Sequence, residues 1–136
     1  MTTTTTANAE DAAIKLLYAA AQGTDFTVGV LDPGTPFDVI ADVEIGENLN
    51  ENVDEHLIRV SIVNLSSAAR IAFNDLKATL TPQNNTPRRE RLRVPFGALV
   101  NADPGDVIQA IGNYKVTAGA NTDVSTAFSA TFTVGG

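Results

Sequence analysis

The sequence predicts an all-β domain, an antiparallel β-sandwich of about seven strands with an N-terminal α-helix. Two patterns carry that expectation. From residue 24 onward, apolar and polar residues alternate with period two, in runs separated by turns rich in Gly, Pro, Asn and Asp. From residue 8 to residue 22 the chain's interior is rich in alanine and leucine, and its apolar residues recur at spacings of three and four. The 136 residues suffice for one domain with a sizeable core and are too few for a multidomain enzyme. A hydrophobic content of 43% excludes a chain that is disordered throughout.

Residues 1–7 read as a flexible arm, because Thr2 to Thr6 is a polar, low-complexity run. Residues 8–23 read as a helix and its stop. Asn8 can cap it, Glu10 and Asp11 fall in the first turn where the helix dipole favours anions, and Gly23 ends it. Ala13, Leu16, Leu17, Ala20 and Ala21 fall on one side, so the stripe is a candidate interaction surface, buried on this domain or on a neighbour.

Residues 24–136 supply the strands. The first is expected at 26–31, with Phe26, Val28 and Val30 alternating, before the turn Asp32-Pro33-Gly34. The second is Phe37–Ile45, with Phe37, Val39, Ala41, Val43 and Ile45 on one face and Asp38, Asp42 and Glu44 on the other. An acidic, asparagine-rich loop, 46–54, leads to a strand at 56–65 with Ile58, Val60 and Ile62 inward. A shorter strand lies at 71–73 or at 76–80. The strand at 88–94 turns Arg89, Arg91 and Arg93 outward and Leu92 and Val94 inward. Strands at 107–116 and 126–134 close the domain, the last with Phe128, Ala130, Phe132 and Val134 on one side. Half-polar strands of this kind bury one face and pair into two stacked sheets.

The expected arrangement is immunoglobulin-like, without the inter-sheet disulfide or core tryptophan and held by aliphatic packing, with a closed small barrel as the alternative. In that order the strands at 37–45 and 88–94 are neighbours, which sets Asp38, Asp42 and Glu44 beside Arg89, Arg91 and Arg93. Cross-strand pairs of opposite charge fix register and contribute roughly 0.2–1 kcal/mol each. The functional alternative is that Arg88, Arg89, Arg91 and Arg93 bind an anionic partner. No aromatic residue interleaves with them to stack bases.

The charges and the missing residue types narrow the function. With 16 acids against 9 bases the formal net charge is −7, which disfavours nucleic acid and anionic membranes as partners. Cysteine is absent and His56 is the single histidine, which removes thiolate chemistry and multi-histidine metal sites. The start lacks the basic and apolar regions of a secretory signal and no stretch is long enough to span a membrane, so an intracellular protein, or part of a particle assembled inside a cell, is expected. Glu47, Glu51, Asp54 and Glu55 form a loose set of oxygen donors, a weak calcium candidate beside the plainer reading of a solvated acidic loop. The segment lacks the glycine and the order of an EF-hand loop. His56 has no serine in a nucleophile elbow to serve, and no phosphate loop or dinucleotide fingerprint is present. No catalysis and no cofactor are expected.

Several segments resemble, in order, the first C-terminal β-barrel domain of animal transglutaminases. Thr24-Asp25-Phe26-Thr27-Val28 is similar to its first strand, and Gly34-Thr35-Pro36-Phe37-Asp38-Val39-Ile40-Ala41 to its entry strand. Arg91-Leu92-Arg93-Val94-Pro95-Phe96-Gly97-Ala98-Leu99 is similar to the strand leading into a short helical turn. Val107-Ile108-Gln109-Ala110 and Tyr114-Lys115-Val116 resemble the closing hairpin. Asn64-Leu65-Ser66-Ser67-Ala68 departs from that family's tyrosine-glycine element, and the cysteine-bearing catalytic core is absent. The resemblance implies an immunoglobulin-like, non-catalytic accessory module.

The function expected from these readings is structural: a module that self-associates or docks on a larger particle, such as a virion decoration protein or filament subunit, through its N-terminal arm and helix. The alternative is an accessory module that binds a protein, a glycan or calcium.

Overall fold

The computed structural model describes residues 11–136, so the arm assigned to residues 1–7 and the proposed helix cap at Asn8 lie outside the described residues. Within them the fold is an all-β sandwich of two sheets with one short helix. The strands are β1 (Ala12–Ala21), β2 (Val30–Leu31), β3 (Phe37–Ile45), β4 (Glu55–Asn64), β5 (Ala69–Thr79), β6 (Arg88–Phe96), β7 (Val107–Ala118), β8 (Asn121–Phe128) and β9 (Phe132–Val134). The helix, α1, is Glu47–Asn50. The smaller sheet runs β1-β3-β6; the larger runs β2-β9-β7-β4-β5, with β8 also paired to β7.

The N-terminal helix is corrected to a strand. β1 pairs antiparallel with β3 from Ala12↔Ile45 to Ala21↔Phe37. Alanine favours helix only weakly as an intrinsic preference, and a full-length ladder outweighs it. A bulge between Ile14 and Leu16 explains the misreading. The extra residue, Lys15, turns the inward step from Ile14 to Leu17 from two residues into three, and so breaks the period of two that marks a strand. The stripe of Ala13, Leu16, Leu17, Ala20 and Ala21 is thereby divided. Leu17 goes into this domain's own core, while Leu16 is 50% exposed on the opposite face.

Three other strands differ from the expected pattern. The 26–31 segment divides its pairing between the sheets: Thr27 bridges Ala20 of β1, and Val30–Leu31 pairs parallel with β9. Only Val28 and Leu31 turn inward, leaving Phe26 and Val30 exposed. The two candidate positions around 71–80 are one strand, β5. The closing strand breaks at 129–131, where the Ser129 hydroxyl accepts the Ala110 N–H (2.9 Å) and donates to the Ala130 carbonyl (2.8 Å). The break reverses the alternation, so Phe132 enters the core and Phe128 faces solvent at 62% exposure.

The core lies between the sheets and is not purely aliphatic. Phe37 stacks on Phe96 at 5.3 Å and meets Phe132 edge-on at 6.0 Å, among Ile58, Val60, Ile62 and Ile108. Gly112 lets β7 approach β1: a Cβ there would lie 3.2 Å from side-chain carbons of Ile14 and Leu17. Strand pairing stays within each sheet, so the architecture is a sandwich and not a closed barrel. Side chains bridge both seams. Asp123 and Ser125 of β8 accept the N–H groups of Ala12 (2.6 Å) and Ile14 (3.2 Å), and Asn74 of β5 donates to the Pro95 carbonyl (2.8 Å).

Candidate interaction surfaces

The outer face of the smaller sheet carries the expected charge ladder. In the β3–β6 register Asp42 is opposite Arg91 and Glu44 opposite Arg89, while Arg93, opposite Ile40, reaches diagonally to Asp38. The Arg91–Asp42 pair is two-pronged, with Nε to Oδ1 at 2.8 Å and Nη2 to Oδ2 at 3.1 Å. Arg89 Nε meets Glu44 Oε2 at 2.9 Å, and Arg93 Nη1 meets Asp38 Oδ2 at 2.9 Å. Asp25, from the loop after β1, accepts from both Arg93 and Arg91, which hold its carboxyl below the usual range. Asp38 also accepts the Gly23 N–H (2.8 Å) and is 3% exposed, so the ladder ties the loop after β1 to the sheet. Arg88 turns toward the interior, where Asn50, Glu90 and the Thr81 carbonyl hold it. Each arginine once considered for an anionic partner is therefore engaged within the chain.

The outer face of the larger sheet is built differently. The β5–β4–β7–β8 register places Phe73, Ser61, Ile111 and Phe128 in one row across the strands. The next row is Asp75, Arg59, Asn113 and Thr126, and the one after it is Lys77, Leu57, Lys115 and Val124. Phe73 is 54% exposed, and Val124 and Phe128 are more so. Arg70 lies over the Phe73 ring at 4.7 Å and Arg59 at 5.7 Å, a cation–π arrangement. Arg59 is neutralised by Asp75 at 2.7 and 2.8 Å, and Lys77 pairs loosely with Glu55 at 3.5 Å. Arg70 and Lys115 have no carboxylate partner among the described residues. A shallow depression lined by Leu57, Arg59, Asn113, Lys115 and Val124 lies beside the row of Phe73 and Phe128, with polar and apolar walls.

The remaining candidates are absorbed by the fold. His56 is buried, with Nδ1 2.7 Å from the Tyr114 hydroxyl, and burial lowers its pKa. The same burial pushes the Tyr114 hydroxyl up. No serine lies in that contact. Of the calcium candidates, Glu47 opens α1 and Glu51 caps its end, Asp54 accepts the Gly119 N–H (2.8 Å), and Glu55 faces Lys77. The structure does not bring these four together, and no group of three metal-ligating side chains is found among the described residues. No helix among those residues is long and apolar enough to cross a membrane.

The exposed pair Phe73 and Phe128 was not singled out in the sequence. The reversal at 129–131 depends on the Ser129 side chain replacing a ladder bond, and an isolated serine in an alternating run gives no sign of that. Inward positions of β8 hold Asp123 and Ser125, which face the β1 seam.

No protein-family model matches the chain, and no curated protein matches it in sequence. Among solved structures it is similar to a β-glucuronidase from glycoside hydrolase family 2, with a TM-score of 0.50 and 11% identity. The match covers 90% of this chain and 12% of that one, so this chain spans a small part of the length of that enzyme. At that identity the likeness is one of fold, a two-sheet β-sandwich.

Proposed function

We propose that this protein is a non-catalytic, immunoglobulin-like interaction module, and that it meets its partner through the outer face of the larger sheet. The immunoglobulin-like reading rests on the strand order. Sheets β1-β3-β6 and β9-β7-β4-β5, with β2 parallel to β9, follow the Greek-key plan of such sandwiches. The transglutaminase-like resemblance and the match to a small part of a multidomain-length hydrolase fit an accessory or assembly role.

The observation that carries the interaction reading is the row Phe73–Ser61–Ile111–Phe128. Scattered exposed apolar residues need no explanation, whereas aromatic anchors on one face of a rigid sheet, flanked by cations, have the composition of interface cores. The arm and helix first expected to make the contact are not part of this proposal, because β1 belongs to the sandwich itself.

Site-specific photocrosslinking tests it. A benzophenone side chain is placed at Val124 on the larger sheet and, in a second variant, at Leu16 on the smaller one, and adducts are collected from the native host. Adducts of defined mass from position 124 and none from position 16 are expected; the mass shows whether the partner is a second copy. Adducts confined to position 16, or none from either position, overturn it.

A further inference from the structure

Resting on that reading of the face, we infer that its occupant is an acidic amphipathic helix of a partner protein. The first ground is charge. Arg59, Arg70, Lys77 and Lys115 lie on this face against only Glu55 and Asp75, so it is net positive in a chain whose formal charge is −7. The chain neutralises its other exposed arginines internally, as Arg89, Arg91 and Arg93 show, yet Arg70 and Lys115 have no carboxylate among the described residues. An unpaired guanidinium stacked on an exposed ring is built to take a carboxylate from outside, because its N–H groups stay free while the ring shields one side from water.

The second ground is shape. Phe73 on β5 and Phe128 on β8 stand at the ends of one row, three strand spacings or about 14 Å apart, with Ser61 and Ile111 as a low floor. A helix, whose diameter with side chains is about 10–12 Å, fits between such walls and sets its apolar side on Ile111. Arg70 on β5 then borders it, and Lys115, two rows along β7 from Ile111, meets it farther along its length, both opposite in kind to glutamates bordering the apolar stripe. Nucleic acid and anionic membranes are the poorer match. Two unpaired cations on a strongly acidic molecule make few phosphate contacts, and the outer row has aromatics only at its two ends.

Fluorescence anisotropy with the intact protein tests the inference. The probe is a labelled amphipathic helical peptide with Leu and Phe on one face and Glu on its flanks. Its counterpart carries Lys at the same flanking positions, and further arms are a single-stranded oligonucleotide and phosphatidylserine vesicles. The Glu peptide is expected to bind about tenfold or more tightly than the Lys peptide, with affinity falling as salt rises. Phe128→Ser should abolish binding and Lys115→Glu or Arg70→Glu should weaken it several-fold, each with an unchanged circular dichroism spectrum. Arg89→Gln on the opposite face should leave binding as it is. Equal or reversed charge preference, no binding of either peptide, or binding of the oligonucleotide or vesicles in place of the Glu peptide overturns the inference. If it fails while crosslinks from position 124 persist, the face stands and only the partner's chemistry is wrong.

Discussion

The two outer faces of this sandwich use similar residues to opposite ends. On the smaller sheet, arginines stand opposite carboxylates in register, and the loop after β1 folds over them through Asp25 and Asp38. On the larger sheet, cations border a row of exposed aromatics, and two of them have no carboxylate partner among the described residues. The difference teaches that a charge's surroundings, more than its presence, decide whether it is tied into the fold or left open to solvent. A cation with a carboxylate across the strand is spent on register; a cation over an exposed ring remains available.

The largest effect expected from this contrast is at Asp38. Its carboxylate is almost fully buried and holds both Arg93 and the Gly23 N–H. Asp38→Ala leaves the Gly23 N–H without its acceptor and takes one of two carboxylates from Arg93, which keeps Asp25 and the Thr24 carbonyl, and a loss of about 2–3 kcal/mol is expected in urea unfolding. Phe128→Ser on the other face should change stability by less than about 0.5 kcal/mol while removing binding. If the two losses are equal, the division between a structural face and a binding face is wrong.

Next in size is Gly112→Ala, which tests the layer beneath both faces. The added methyl meets Ile14 and Leu17 at 3.2 Å in the packed core, and overpacking of this kind costs about 1–3 kcal/mol. A loss is expected in thermal unfolding. A neutral result would mean that β1 can shift away from β7 without disturbing the ladder it makes with β3.

Acidification separates the regions by pH. Burial lowers the pKa of His56 from its ordinary 6.5, so the unfolded chain takes up a proton that the folded chain resists. Stability is therefore fully present above about pH 6.5 and falls as pH drops from there through the folded-state value. Asp25 and Asp75 are lowered from 3.8 by their arginines, so their contribution is present above that value and is lost below it. Two separate declines are expected in unfolding midpoint against pH, and His56→Gln should remove only the upper one. A single decline near pH 4, unchanged by His56→Gln, would show that burial at this site does not oppose protonation.

Much of this was legible in the sequence because it depends on alternation within an unbroken run. β3 was read at its observed bounds, and from it the facing of acids and arginines across β3 and β6 followed. What escaped were places where one residue resets the period. The bulge at Lys15 disguised a strand as a helix, and Ser129 turned Phe128 outward by lending its hydroxyl to β7. Both resets are made by tertiary pairing, which a single run of sequence does not contain. The exposed pair Phe73 and Phe128 was missed with them, since Phe128 lies just before the second reset and owes its outward direction to it. The four acids of the calcium candidate are kept apart for a related reason: neighbours in the sequence, they are drawn to α1, to Gly119 and to Lys77.

The smallest expected effect is also the sharpest test of what the ladder is for. Asp42 and Arg91 lie directly opposite with a two-pronged contact, yet Arg91 is about half exposed and shares itself with Asp25. An exposed cross-strand pair of this type contributes about 0.2–1 kcal/mol, and salt reduces it further. A double-mutant cycle with Asp42→Asn and Arg91→Gln should therefore give a coupling of about 0.5 kcal/mol at low salt, nearly vanishing at high salt. The same cycle with Arg59→Gln and Asp75→Asn on the larger sheet should give a similar figure, because that pair has the same chemistry and exposure. Equal couplings on the two faces would locate their difference where the geometry puts it, in Arg70 and Lys115, which have no carboxylate partner among the described residues, and the rings beside them. A coupling several times larger on the smaller sheet would instead mean that its ladder sets stability as well as register.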